Sequence, residues 1–279
     1  MVDERGELDF AIEVAKEAGE ILMRYYRSGY ATDWKGENDP VTSADREANE
    51  FILARLKEKF PDYGFLAEES VDDGSRLEKE RVWIVDPLDG TRDFIDGVPQ
   101  FAAMIGLAVE GRPVLGVVNQ VAADKLFYGV VGEGAWLESG GKLEVLRVSC
   151  NDDLSRATMT VSRSHRSPLI EEVEKKLGIA REVISGSVGV KVGLLVTRQV
   201  DLYVHPTLGI GIKEWDTCGP EAILEAAGGR MTDCWGDPLQ YNKPNVYHLR
   251  GVVATNGVLH EKVVKATSEV CGKAALGDG

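Results

Sequence analysis

Apolar residues recur along this chain with two different periods. Over residues 7–27, Leu8, Ile12, Ala15, Leu22 and Tyr25 fall at helical spacing, and Gly29 stands just past the end. A second helix is expected from Thr42-Ser43 to about Lys59, with Ala48, Ile52 and Leu56 on one side, before Phe60-Pro61 stops it. Two short apolar runs follow, 63–67 and 82–85. Each leads directly into carboxylates, Glu68-Glu69 after the first and Asp86 after the second. Residues 101–109, 114–121 and 126–131 read as strands separated by turns at 110–113 and 122–125, which predicts an antiparallel meander.

The polar stretch Ser149-Cys150-Asn151-Asp152-Asp153 is the best candidate boundary, dividing the chain into 1–149 and 150–279. Beyond it, strand and helix signals alternate. A strand is expected over 158–162, and Ser167-Pro168 opens a helix that ends before Gly178. A helix over 187–197 and a strand over 200–205 come next. Asp216 is expected to cap a helix ending at Gly228-Gly229, ahead of a last strand over 250–254 and a final helix. The pattern predicts a mixed α/β (α+β) layered protein whose halves share one cleft.

Composition narrows the function classes. An apolar fraction of 43% is ordinary for a globular chain. No uncharged apolar run reaches the length of about 18 residues that a membrane span needs. The N-terminus, Met1 to Glu7, is acidic and has no signal-peptide pattern, so a cytoplasmic protein is expected. The four cysteines are scattered and form no Cys-x-x-Cys pair, which leaves a disulfide framework or a zinc site little support. A formal charge of −14 argues against binding a nucleic-acid polymer. It leaves room for a small anionic substrate, because bound cations invert the local sign of a carboxylate-lined pocket.

The chemistry centres on Asp86-Pro87-Leu88-Asp89-Gly90-Thr91. An apolar strand ends in a carboxylate, Pro87 fixes the next φ, and a second carboxylate arrives three residues later. Gly90 lets the backbone approach a ligand, and Thr91 offers a hydroxyl. Hard cations such as Mg²⁺ prefer oxygen ligands, and free amides near such a loop suit a phosphate. A capped turn explains this segment equally well when it is taken alone. Glu68, after its own apolar strand, can share the sheet edge with Asp86. Asp45 sits one turn into the second helix, and Asp216 opens a later one.

In that order, Asp45, Glu68-Glu69, Asp86-Pro-Leu-Asp-Gly-Thr91 and Trp215-Asp216 resemble the inositol monophosphatase superfamily of lithium-sensitive phosphatases, from the first helix to Val253. The resemblance implies a layered αβαβα sandwich, two or three Mg²⁺ ions and a homodimer. It implies that Glu68, Asp86 and the carbonyl of Leu88 hold one metal, and that Asp86, Asp89 and Asp216 hold a second. Asp45 and Glu68 match the position of a third metal and of the attacking water, which Thr91 helps orient, while the amides of Gly90 and Thr91 bind phosphate. Two such cations activate a water and stabilise the departing oxygen in an in-line displacement.

Val161-Ser-Arg-Ser-His165 and Gly186-Ser-Val-Gly-Val-Lys191 resemble segments of the 3′(2′),5′-bisphosphate nucleotidase branch. That points to His165, Arg166, Ser187 and Lys191 as substrate contacts, with Lys191 pairing with a second phosphate. The alternative leaves His165 and Arg166 in a surface loop and Lys191 in solvent. The expected reaction is removal of the 3′-phosphate from adenosine 3′,5′-bisphosphate; inositol 1-phosphate and fructose 1,6-bisphosphate are the other candidates. Pro220, where many relatives carry a different residue, is tolerable near a helix start. Two other phosphatase patterns fail. Cys150 to Arg156 has cysteine-phosphatase spacing, but Asp152 and Asp153 would repel the substrate, and Pro87 stands where an aspartyl phosphatase needs an acid. A regulatory homologue without catalysis would have lost a metal-site acid, and every expected acid is present.

Overall fold

The computed structural model describes residues 4–36, 39–163, 166–207 and 211–277. The chain opens with α1 (Glu4–Ser28), a small hairpin of β1 (Thr32–Gly36) and β2 (Asp39–Thr42), and α2 (Ser43–Lys59). Next come β3 (Gly64–Ala67), β4 (Arg81–Asp89), the short α3 (Thr91–Ile95), β5 (Ala102–Val109), β6 (Arg112–Gln120), β7 (Lys125–Val130), β8 (Gly134–Ser139) and β9 (Lys142–Val145). These strands form a seven-stranded sheet in the order β3-β4-β5-β6-β7-β8-β9. β3 and β4 are parallel, and the remaining pairs are antiparallel.

The later part of the chain holds β10 (Thr158–Ser162), α4 (Pro168–Leu177), β11 (Arg181–Ser185), α5 (Val188–Val196), β12 (Leu202–His205), β13 (Ile212–Lys213) and α6 (Glu214–Ala226). It finishes with β14 (Arg230–Thr232), β15 (Tyr247–His248), β16 (Val252–Thr255) and α7 (His260–Gly277). A second sheet runs β11-β10-β12-β16-β14.

Side-chain alternation explains the layering. On β5, Ile105 and Leu107 face α1 and α2 together with Leu8, Val14 and Ile52, while Met104 and Ala108 face α5 and α6. α6 carries Cys218, Ile223 and Leu224 in the same cluster as Tyr203 and Ala254 of the second sheet. The far face of that sheet, with Met159, Val161 and Val253, packs on Ile170 and Val173 of α4 and Val263 of α7. The layers are therefore α1/α2, large sheet, α5/α6, small sheet, α4/α7. α6 lies very close to the large sheet: a Cβ on Gly116 would stand 2.1 Å from the Gly219 carbonyl oxygen.

The structure corrects two local expectations. The meander continues through β8 and β9, both unassigned from sequence patterning; β9 is exposed throughout and so lacks a buried alternation. Asp216 is not the cap of α6. Lys213 holds that position, and Asp216, three residues in, reaches back to accept from the Lys213 amide at 2.6 Å. Among the described residues, no helix is long and apolar enough to cross a membrane.

Candidate active site

The aspartate motif lies where β4 leaves the sheet. Asp86 pairs with Met104 and Asp89 with Ala102, so β4 spends one more residue than β5 over this step. The bulge, with Pro87 inside it and no N–H to give, turns both acids to one end of the sheet. Gly90 follows at φ +92°, where a Cβ would meet the Gln100 carbonyl at 2.9 Å, and α3 begins at Thr91. Parallel pairing of Ala67 with Val85 sets Glu68 beside Asp86.

Three of the acids are held from behind by donors. The Leu88 amide donates to Asp86 Oδ1 at 2.9 Å. Ser187 Oγ at 2.5 Å and the Gly189 amide at 2.8 Å donate to Asp89 Oδ2. Asp216 Oδ2 takes the Lys213 amide. One oxygen from each of Asp86, Asp89 and Asp216 lies within 4.8 Å of the others. Burial pushes the Asp86 carboxyl well above the usual range, and the charges of Glu68, Asp89 and Asp216 push it further. Burial, then Asp89 and Glu68, raise Asp216 to about 8. Asp89 is raised by burial against the pull of its donors. Buried carboxylates this close ionise together only with a cation among them, and an all-oxygen donor set suits a hard divalent ion. The donor set therefore fits the metal that the sequence implies.

Asp45 completes the constellation from α2. Its Oδ2 accepts from the amide and hydroxyl of Thr42 at 2.8 and 2.5 Å in a capping box. Its Oδ1 lies 3.0 Å from Thr91 Oγ1, which also lies 3.1 Å from the Leu88 carbonyl oxygen. The threonine has one proton for two acceptors. When it donates to Asp45, the Leu88 oxygen is relieved of it. Burial raises Asp45 above the usual carboxylate range and outweighs these donors. On the far side, Lys213 Nζ stands 3.5 Å from Glu68 Oε1.

The acids open into a cleft of about 470 Å³ at the carboxyl ends of β10, β11 and β12. β10 lies between β11 and β12, a switch point of the kind where open α/β sheets receive ligands. Asp89, Gly90, Thr91 and Asp216 line one end; Val188, Tyr203 and Ile212 provide apolar wall, and Arg163, Lys191 and His205 polar wall.

The remaining sequence-predicted contacts fare differently. Lys191 lines this cleft, but it is fully buried rather than solvated. Its ammonium donates to the carbonyls of Gly186 at 2.5 Å and Ser187 at 3.2 Å and lies over the Tyr203 ring, and burial lowers it to about 8. The Ser187 hydroxyl donates to Asp89 and accepts from the Val190 amide, capping α5. Arg166 turns away from the cleft. Glu174 and Glu182 take its guanidinium at 2.8 Å each. His165 lies outside the described residues. Sequence reasoning missed Arg163 and Asp93, both cleft residues, which pair at 3.1 Å. The only signal for them was proximity to quoted motifs: Arg163 sits within Val161 to His165, and Asp93 two residues beyond Thr91.

Residues 3–271 match the inositol monophosphatase family. The chain belongs to this family. Inositol monophosphatase 3 of Solanum lycopersicum is 32% identical over 271 residues, covering 94% of this chain and 96% of the relative. The 3′(2′),5′-bisphosphate nucleotidase CysQ of Shigella flexneri is 33% identical over 237 residues, 84% of this chain and 93% of that one. An IMPase structure from Thermotoga maritima superposes with a TM-score of 0.81 at 28% identity, over 96% of this chain and 99% of the other. Inositol monophosphatase family members are metal-dependent phosphatases, and the acid cluster of this chain stands in the fold common to them.

Proposed function

We propose that this phosphatase uses Mg²⁺ to remove the 3′-phosphate from adenosine 3′,5′-bisphosphate. The observation that carries the substrate reading is the composition of the cleft wall. Beyond Thr91 it offers Val188, Tyr203 and Ile212 as apolar surface beside Arg163, which is paired with Asp93, and the buried Lys191. A flat heterocycle with a second anionic group matches such a wall. The hydroxyl-covered ring of an inositol would lose water to apolar side chains that return no hydrogen bonds. Likeness to the Shigella flexneri nucleotidase supports the same reading.

Glu68, Asp86 and the Leu88 carbonyl would hold one cation, Asp86, Asp89 and Asp216 a second, and Asp45 with Glu68 a third. When bound, such ions lower the pKa of a water and neutralise the charge that develops on phosphate and leaving oxygen. The chain's own residues do the rest. The amides of Gly90 and Thr91, at the start of α3, receive phosphate oxygens. Thr91 Oγ1 accepts a proton from the attacking water as its own passes to Asp45 Oδ1, 3.0 Å away. The new P–O bond forms to the water oxygen, the bond to the 3′-oxygen breaks, and solvent returns a proton to that oxygen.

The test is phosphate release, with Mg²⁺, from adenosine 3′,5′-bisphosphate, inositol 1-phosphate and fructose 1,6-bisphosphate at matched concentration. The nucleotide should give the highest kcat/KM. If inositol 1-phosphate leads, the nucleotidase reading is wrong.

A further inference from the structure

Glu68 and Asp216 come from elements that are distant in sequence and packed from different layers. Something must set the distance between them, and a run of polar contacts through the buried Arg76 and Glu214 links the loop after Glu68 to the start of α6. Four residues after Glu68, Asp72 receives the guanidinium of Arg76, with Nε at 3.1 Å and Nη2 at 2.8 Å. Arg76 is 1% exposed, among the most buried large side chains of the protein. Its Nη1 donates to Asn242 Oδ1 at 2.8 Å and its Nη2 to the Lys243 carbonyl at 2.9 Å. Asn242 returns a bond from Nδ2 to the Arg76 carbonyl at 3.0 Å.

These contacts then reach α6. The amides of Asn242 and Lys243 donate to the two carboxylate oxygens of Glu214 at 2.6 and 3.1 Å, and Lys243 Nζ donates to Oε1 at 2.6 Å. Glu214 is fully buried and stands two residues before Asp216. A third tie leads back to the helix of Asp45: Asn49 Nδ2 donates to Ser70 Oγ at 2.9 Å. The loop carrying Glu68 is thus tied to both helices that bring acids to the centre.

We propose that Arg76 is a positioning residue for the metal centre. Acting through Asp72 on one side and through Asn242, Lys243 and Glu214 on the other, it sets the spacing between Glu68 and Asp216. This inference rests on the metal reading under Proposed function. A buried guanidinium is weak as a source of stability, since an apolar side chain of similar volume often serves as well. Its planar fork does what an apolar residue cannot, fixing the direction of several partners at once. Groups hydrogen-bonded directly to a metal ligand change metal affinity by about 10- to 100-fold when removed, and Arg76 stands further out, so a loss of about 3- to 10-fold is expected.

The experiment compares wild type, Arg76→Met and Arg76→Lys with Glu7→Gln as a control. Glu7 forms a buried pair with Arg81 at 2.6 Å away from the acids, so its loss weakens the fold without reaching the centre. Mg²⁺ binding is measured by calorimetry on protein first stripped with EDTA, and melting temperature on the same samples. Arg76→Met should weaken the Mg²⁺ Kd about 3-fold or more, with partial recovery in Arg76→Lys. Glu7→Gln should lower the melting temperature and leave Kd unchanged. If Arg76→Met and Glu7→Gln both melt lower yet bind Mg²⁺ like wild type, Arg76 is a structural brace and the inference is overturned. Should Arg76→Met not fold, Asn242→Ala is judged by the same Kd criterion. Wild-type protein that binds no Mg²⁺ would remove the metal reading and this inference with it.

Discussion

Replacing Asp86 with Asn separates the stability of this centre from its activity. Asp86 is 1% exposed and has neighbouring carboxylate oxygens within 4.8 Å. Two ionised carboxylates at that distance repel by about 3.5 kcal/mol at an effective dielectric of about 20. The metal-free protein avoids part of that cost by keeping a proton in the cluster, so the relief from Asp86→Asn is smaller, about 1–3 kcal/mol. The asparagine carbonyl still accepts the Leu88 amide, and its amide group can donate to Asp89 or Asp216. At about 2–4 °C per kcal/mol, the variant should melt a few degrees above wild type in EDTA near pH 8. It should gain little from Mg²⁺ and lose most phosphatase activity, because a shared ligand has gone. Thermal melting with EDTA and with Mg²⁺, beside a turnover assay, reads all of this. Near-normal turnover, or a variant that melts lower in EDTA and is still raised by Mg²⁺ as far as wild type, would mean that Asp86 is not a shared metal ligand.

Three further outcomes follow from the same structure. Asp86, Asp89 and Asp216 have raised pKa values, about 8 for Asp216, so between about pH 4 and 8 the folded protein binds more protons than the unfolded chain. Metal-free stability therefore falls as pH rises through that window, and the melting gap between Mg²⁺ and EDTA samples should widen from about pH 5.5 to 8; a constant gap contradicts it. Gly116→Ala drives a methyl to 2.1 Å from the Gly219 carbonyl oxygen and should cost about 3 kcal/mol or abolish soluble expression, checked by urea unfolding. Lys191→Ala should raise KM for a bisphosphate nucleotide more than for a monophosphate; equal effects would restrict Lys191 to holding the Gly186 and Ser187 carbonyls.

Much of the architecture was legible because its signals are local. The helical periods of α1 and α2, the stop at Phe60-Pro61 and the strands that end in acids all lie within short windows. The gathering of Asp45, Glu68, Asp86, Asp89 and Asp216 was legible through the resemblance of the motifs, in their order, to the inositol monophosphatase family. The substrate side was less legible for a physical reason. Whether a lysine or arginine faces a ligand depends on which carbonyls and carboxylates reach it first, and those partners come from other parts of the chain. Arg166 meets Glu174 and Glu182, while Lys191 meets the carbonyls of the turn before its own helix. Arg163, one strand end away, keeps a place in the cleft. The edge strands β9 and β11 escaped notice because exposed residues blur the alternation that marks a buried strand.

A crystal grown with Mn²⁺ in place of Mg²⁺, with anomalous scattering recorded at the manganese edge, would show directly whether the acids hold a cation. Anomalous density is expected among the carboxylates of Asp86, Asp89 and Asp216, lost in the Asp86→Asn variant. Ordered carboxylates with no anomalous density between them, in protein that still hydrolyses its phosphoester, would contradict a metal centre at these acids.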